Sequence, residues 1–453
     1  MSAANEQSRQ WFEDLVKSGQ VALPSDKLDW LDAARQQAHQ AINTLPVPYR
    51  KQEEWRYTSI DGLLRQDFQP VNEQFTALHA VDLEDWLLPD MDSYRLVFAN
   101  GRCVPEMSDI EELPEGVRIG SLRAALTTDP DLLATWFGQT ANHQQHMFTA
   151  LNTALINDGV FVHVAPGVKV DKPIEVLYLS LALEDAVIAH PRNLVVMENG
   201  SQATLIERFV STGDSVYFNN VLNEIILNES ASLTHHRVQD ESPQAYHLSS
   251  LFLSQQKQSE YRGTALALGG AWARTDYKAR FQDEEAVCTL NGLYLAGEKQ
   301  LTDFHLDIDH AKPHCASEEN FRGILYGKGR AVFDGKILVA KDAQKSDAHL
   351  HNANLMLTRS AEVDTKPQLE IYADDVKCSH GTTVGQLDPE QVYYMRSRGI
   401  ETPMAKKMLC LGFADEIIDT IEIEPLRQHV HERLHFTLDQ VVTEQLQTDE
   451  VAQ

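Results

Sequence analysis

The chain has 453 residues, 43% of them hydrophobic, enough for a substantial core shared by two or three domains. Its 39 Lys and Arg face 67 Asp and Glu, a formal charge of −28, so phosphate backbones are repelled over most of the surface and nucleic acid is not an expected partner. Five cysteines, Cys103, Cys288, Cys315, Cys378 and Cys410, form no CxxC pair and no disulfide framework; with no basic-then-apolar leader and no apolar run near the ~20 residues that span a bilayer, a cytoplasmic location without a membrane partner is expected.

The first part reads as helices. Trp11, Phe12, Leu15 and Val16 make a stripe at three-to-four spacing that stops near Gly19. A second helix is expected after Pro24 and Ser25, where Trp30, Leu31, Ala34, Ala38 and Ile42 keep the period until Pro46, Val47 and Pro48 break it. Arg50 to Tyr57 is a charged and aromatic link. From about Asp158 the pattern changes to short β-rich runs at 160–164, 174–179, 194–197, 203–209, 222–227, 233–238, 248–253, 287–295, 304–308, 332–339 and 355–358. No amphipathic helix long enough for a βαβ crossover separates them. Roughly 220 residues of consecutive strands exceed one sandwich and leave a solenoid, a propeller or a large barrel, among which their irregular spacing favours a β-solenoid. Helical spacing returns at Asp388, an N-cap followed by Pro389, and Gly399 closes that helix; Thr402-Pro403 and Glu424-Pro425 start two more.

The sharpest constellation is Lys377-Cys378-Ser379-His380-Gly381-Thr382-Thr383, where strands give way to helices. On an extended segment Cys-x-His points both side chains to one face, which suits a thiolate and an imidazole sharing a soft metal or a cluster edge. Alone the pair is a weak signal, since a buried thiol beside an ordinary histidine is the commoner case. His305, His310, His314 and Cys315 form a second polar group, in which Asp303, His305, Asp307 and Asp309 alternate with apolar residues as on a solvated strand face. His349-x-His351 also puts two imidazoles on one face. His431-Glu432-Arg433-Leu434-His435 matches the zinc protease motif HExxH, yet Leu426, Val430, Leu434, Leu438 and Val441 form the apolar stripe of that helix and leave both histidines on its flank. No phosphate loop, GxGxxG or GxSxG is present, so no catalytic machinery is recognisable and a scaffold role gains weight over an enzyme. A β-helix enzyme acting on polysaccharide would be exported, and the expected cytoplasmic location opposes it.

The runs Asp374-Asp375-Val376-Lys377-Cys378-Ser379-His380-Gly381, Val384-Gly385-Gln386-Leu387-Asp388 and Tyr394-Met395-Arg396-Ser397-Arg398-Gly399-Ile400 resemble the signature of the SufB/SufD family of iron–sulfur cluster assembly scaffold proteins, in its SufD branch. Agreement extends upstream through Pro313 to Gly323, Asp364 to Pro367, Ala150 to Ala154, Asp158-Gly159 and, faintly, Glu54-Trp55-Arg56-Tyr57-Thr58. It covers nearly the whole chain, strongly from about Leu151. Thr382 departs from the pattern, which leads one to expect a small residue such as alanine there.

The resemblance implies a mainly β protein: a right-handed parallel β-helix core at 151–384, between an N-terminal α-helical region with a connecting segment at 1–150 and a C-terminal α-helical domain at 385–453. It implies a complex of SufB, SufD and the ATPase SufC, with the C-terminal helices docking the ATPase through Tyr394, Arg396, Arg398 and Gly399. At the end of the β-helix, where SufB pairs, it implies that His380 and Cys378 hold iron or a nascent cluster in transit. ATP belongs to the partner and not to this chain. A flavin on the assembled complex and a homodimer of the isolated chain stay open.

Overall fold

The computed structural model describes residues 3–20, 28–71 and 83–451. Its centre is a parallel β-helix in which successive strands alternate between an 11-stranded and a 10-stranded sheet, each strand from Arg192–Met197 onward pairing with the next but one in the chain. Ser232, Glu260, Val287, Ala316, Asp347 and Lys377 stand in one line across the second sheet. Each coil therefore takes about 30 residues, within the repeat range of solenoids. In the strand Asp347–Met356, Ala348, Leu350, Asn352 and Asn354 are buried whereas His349 and His351 are exposed, the period of two that lines a closed interior. Aromatic rings fill that interior: Tyr294, Phe304, Phe321 and Phe333 follow one another at centroid spacings of 5.6, 5.2 and 5.2 Å. Gly292 and Gly323 make room for them, since a Cβ at either would come within 2.1 Å of the Phe321 ring and 2.2 Å of the Tyr294 ring respectively.

Helices cover the outward faces of both sheets. On the first sheet lie α1 (Ala3–Gly19) and α2 (Asp29–Thr44). After the short α3 (Leu122–Thr128) and α4 (Pro130–Trp136), α5 (Met147–Ala154) joins them. Phe12, Val16, Ile42, Phe148 and Leu151 there pack on Phe218, Leu248 and Trp272 of the strands. On the second sheet lie α6 (Pro389–Ser397), α7 (Thr402–Ile418) and α8 (Glu424–Val451). The expected stripe Leu426, Val430, Leu434 and Leu438 is buried against Leu266, Leu293 and Ile324. Capping follows the sequence reading: Asp388 accepts a hydrogen bond from the Glu390 N–H at 2.8 Å, and Gly399 ends α6 with φ +87°.

The two ends of the solenoid differ. Near its start, Arg102–Cys103 and Val117–Ser121 pair antiparallel with Tyr94–Ala99 and Val160–Val164 and close off the two sheets. At the other end Glu362–Ile371 and Lys377–Gly385 are the last strands of their sheets, and no described strand pairs beyond them.

The expected run 160–164 reappears at its own limits and the other expected strands with longer ones, but Glu260–Ala267, Trp272–Phe281, Ala316–Leu325 and Glu362–Ile371 are additional, and the run 355–358 marks only the end of Asp347–Met356. The extra strands carry dense outward charge, such as Arg274, Asp276 and Lys278, or a proline, Pro367, which an edge strand tolerates. The expected start of the second helix at Pro24 and Ser25 lies outside the described residues.

One interior residue conflicts with its surroundings. Glu319 is fully buried, stacked between Leu290 and Leu350, with only the Ser317 hydroxyl beside its carboxyl and no cation to pair it. Burial pushes its carboxyl from 4.5 up to about 8. The folded chain therefore keeps a proton that the unfolded chain has released, and stability falls as pH rises from 4.5 through 8. Glu319→Gln is expected to match the parent near the lower limit and to exceed it near the upper one by the order of a few kcal/mol. Parallel denaturation midpoints for the two proteins across that window would refute the assignment.

Candidate metal and partner site at the open end

The last rung carries the site. Register places Cys378 over Ala348 and His380 over Leu350, both of which belong to the solenoid core, so Cys378 and His380 share the inward row. Their neighbours Ser379 and Gly381 stand over His349 and His351 on the outward row. The Cys-x-His reading thus holds geometrically, and the two donors point along the solenoid interior where no further rung covers them. Thr382 and Val384 continue the row, with Val384 52% exposed. Burial raises the Cys378 thiol above its ordinary 9.0, and the Asp347 carboxylate adds to this. The thiol is therefore protonated near neutrality and becomes a ligand only once a cation displaces its proton. Among the described residues no group of three or more His, Cys, Asp or Glu is placed to hold a metal ion. Two donors alone leave a tetrahedral iron site half filled.

The other candidates separate. His305 sits on the outward face, His310 is buried with its Nε2 2.9 Å from Ser317 Oγ and burial holding it down to about 4, His314 occupies an exposed turn, and the Cys315 thiol donates to the Asp283 carbonyl at 3.3 Å. They form no common site. The solvated-face reading of the 303–309 strand holds at Asp307, which is exposed, but is corrected at Asp303, which the N-terminal segment covers. Asp303 accepts from Arg274 Nη1 at 3.2 Å and from Thr58 Oγ1, and lies 2.9 Å from His305 Nε2; the Arg274 guanidinium stacks 3.9 Å from the Trp55 ring. A polar cavity of about 370 Å³ remains between that segment and the sheet, lined by Glu54, His146, Lys278, His305, Lys336 and Lys366 among others. His349 is engaged by Asp347 at 2.7 Å and Ser379 at 2.6 Å. In the HExxH motif Glu432 and His435 are exposed and His431 lies 3.6 Å from Asp415, and the motif's residues are not gathered into a group of three or more donors. Cys410 is a core residue among the helices, its thiol pushed up to about 12 by burial.

A second surface lies beside the open end. No residue of α6 is buried. Tyr393 and Tyr394 are 72% and 59% exposed, and Met404 and Met408 at the start of α7 are 51% and 46% exposed. Arg398 stacks over the Tyr394 ring at 5.2 Å, and Arg396 lies in the last turn of α6. Sequence reading named Tyr394, Arg396, Arg398 and Gly399 but missed Tyr393, Met404 and Met408, whose signal is large apolar side chains on the outer side of the helices.

These features define a β-helix protein in which, among the described residues, one end is left uncapped and carries Cys378 and His380 on one inward row. A family model for the SufBD core domain of the SUF iron–sulfur cluster assembly system matches residues 181–413, and one for the SufBD N-terminal region matches residues 6–176. The chain is 34% identical over 401 residues to an iron–sulfur cluster assembly SufBD family protein of Synechocystis sp., covering 87% of this chain and 88% of that relative. It is 34% identical over 404 residues to the iron–sulfur cluster assembly protein SufD of Escherichia coli, covering 88% and 91%, and 24% identical over 428 residues to SufD of Bacillus subtilis, covering 88% and 92%. The chain belongs to the SufBD family of iron–sulfur cluster assembly proteins. No helix of the described residues is long and apolar enough to cross a membrane.

The raised Cys378 thiol predicts a reactivity profile. Alkylation of Cys378 by iodoacetamide should rise about tenfold per pH unit up to pH 9 without levelling, because the thiolate is the nucleophile. Cys288, in the sealed interior, should stay unmodified in the folded chain. A plateau for Cys378 at neutral pH, read by peptide mass spectrometry, would contradict the environment described.

Proposed function

We propose that this chain is a SufD-type, non-catalytic scaffold subunit that pairs with a SufB-type paralogue at the open end of its solenoid and carries an ATPase of the SufC type on its C-terminal helices. The observation that carries the reading is the last rung: an unpaired strand edge that also presents two metal donors. Bare edges invite another chain, and solenoids need their ends covered. A paralogous strand set laid on Glu362–Ile371 and Lys377–Gly385 would cover the edge and bring the missing ligands to the same place.

Iron or a nascent cluster is then cargo, held in transit between chains. His380 contributes a neutral imidazole nitrogen, and Cys378 contributes sulfur once iron displaces its proton. The exposed Tyr394, Arg396, Met404 and Met408 offer aromatic, guanidinium and thioether anchors for the ATPase, and Gly399 sets the turn between α6 and α7. ATP-driven movement of that partner would open the paired ends, which ties exposure of the site to nucleotide state. A cytoplasmic location fits an unpaired thiol and an oxygen-sensitive cargo.

Anaerobic purification of the tagged chain from its own cells, followed by native mass spectrometry, should yield a complex with a paralogue and an ATPase. His380→Ala should leave that complex intact and reduce its cluster yield severely; a normal yield would remove His380 from the role. Combined Tyr394→Ala and Arg396→Ala should strip the ATPase while the paralogue stays bound, an outcome visible in the same spectra.

A further inference from the structure

Thr382 stands on the inward row two residues beyond His380, over Asn352 of the preceding coil. Its Oγ1 lies 2.8 Å from Thr365 Oγ1, which belongs to the last strand of the opposite sheet, and 3.2 Å from the Asn352 carbonyl. Thr365 Oγ1 in turn donates to Asn352 Oδ1 at 2.9 Å. Each hydroxyl carries one hydrogen, so with the Thr365 hydrogen directed to Asn352 Oδ1, the single Thr382 hydrogen is shared between Thr365 Oγ1 and the Asn352 carbonyl as a three-centre bond.

The string is anchored in the sealed interior. Asn352 Nδ2 donates to Tyr294 Oη at 3.0 Å, Asn354 Nδ2 donates to Asn352 Oδ1 at 2.7 Å, and the Tyr294 hydroxyl donates to Asn354 Oδ1 at 2.6 Å. On the outward side, Lys366 beside Thr365 holds Glu53 of the N-terminal segment at 2.5 Å. The last strand of the first sheet is thus gripped from both faces at one point. The strand Lys377–Gly385 has a hydrogen-bonded neighbour on one side only, and among the described residues His380 makes no side-chain hydrogen bond. The direction of its imidazole therefore depends on where the strand lies.

We infer that the Thr365–Thr382 pair is a clasp across the mouth of the solenoid, and that Thr382 is a positioning residue that fixes the spacing of the Cys378 and His380 row from the opposite sheet. The inference rests on the proposed function for its meaning but not for its measurement. Without the clasp the edge strand frays outward, and water reaches Cys378 more often.

The test uses the full chain, free of iron and partners. Thr382→Ala should raise the alkylation rate of Cys378 at fixed pH by about five-fold, the change in a local opening equilibrium that one hydrogen bond produces. Thr382→Ser, which keeps the hydroxyl, should restore the parent rate, Thr365→Val should repeat the effect of Thr382→Ala, and the melting temperature should stay at the parent value in all three. In the anaerobic complex, cluster yield should fall with Thr382→Ala and return with Thr382→Ser. An unchanged Cys378 rate in Thr382→Ala, or a serine variant that fails to restore it, overturns the clasp. A changed rate with unchanged yield overturns the positioning role. Since the alkylation arm involves neither iron nor partner, its result stands apart from the outcome of His380→Ala.

Discussion

The structure depends on in-register parallel stacking. Every coil repeats the register of the coil beneath it, so each inward row must present side chains that fit the row below. A slip of one residue would turn the row to solvent. Cys378 and His380 inherit their direction from this rule, because they continue the columns that Ala348 and Leu350 occupy in the core. The same rule explains why they are accessible. A column ends where stacking ends, and the last rung keeps interior geometry without an interior environment.

Such a ladder resists slipping only if its rows differ from one another. Buried polar groups supply the difference. Asn193 bridges Tyr178, Glu207 and Asn223, and Glu207 also receives His235 at 3.0 Å and Arg237 at 2.8 Å. Burial alone would raise the Glu207 carboxyl, but Arg237 and His235 override it and hold it down to about 2. A slipped register would leave these charges unpaired in the interior, at a cost of several kcal/mol each. Outside, the Trp55, Thr58, Arg274 and Asp303 contacts weld the N-terminal segment to strands more than 200 residues away in sequence.

Legibility in the sequence followed the range of the interactions. Helix caps at Asp388 and Gly399, the α8 stripe and the shared face of Cys378 and His380 depend on neighbours a few positions apart, and all were readable. The strands Trp272–Phe281 and Glu362–Ile371 were not, because their outward charges are matched by coils and segments distant in the chain. Asp303 looked solvated for the same reason: its partners Thr58 and Arg274 lie 245 and 29 residues away. The uncapped end could not be read from periodicity at all. It is defined by what fails to pair with Lys377–Gly385, and a strand at the edge has the same alternation as one in the middle.

Two donors at such an edge suit cargo better than a resident cofactor. A closed set of four ligands in one chain would hold iron whether or not a partner were bound. On the proposed reading, dividing the set between two chains makes occupancy conditional on assembly, and any movement that parts the chains also halves the coordination. Cys378 strengthens the condition, since burial and Asp347 keep its thiol protonated until a cation arrives. An empty mouth is then a weak nucleophile and a poor target for stray metals, whereas a paired mouth can exchange a proton for iron. On that reading, control of cluster building would need no catalytic residue in this chain and would follow from where the stacking stops.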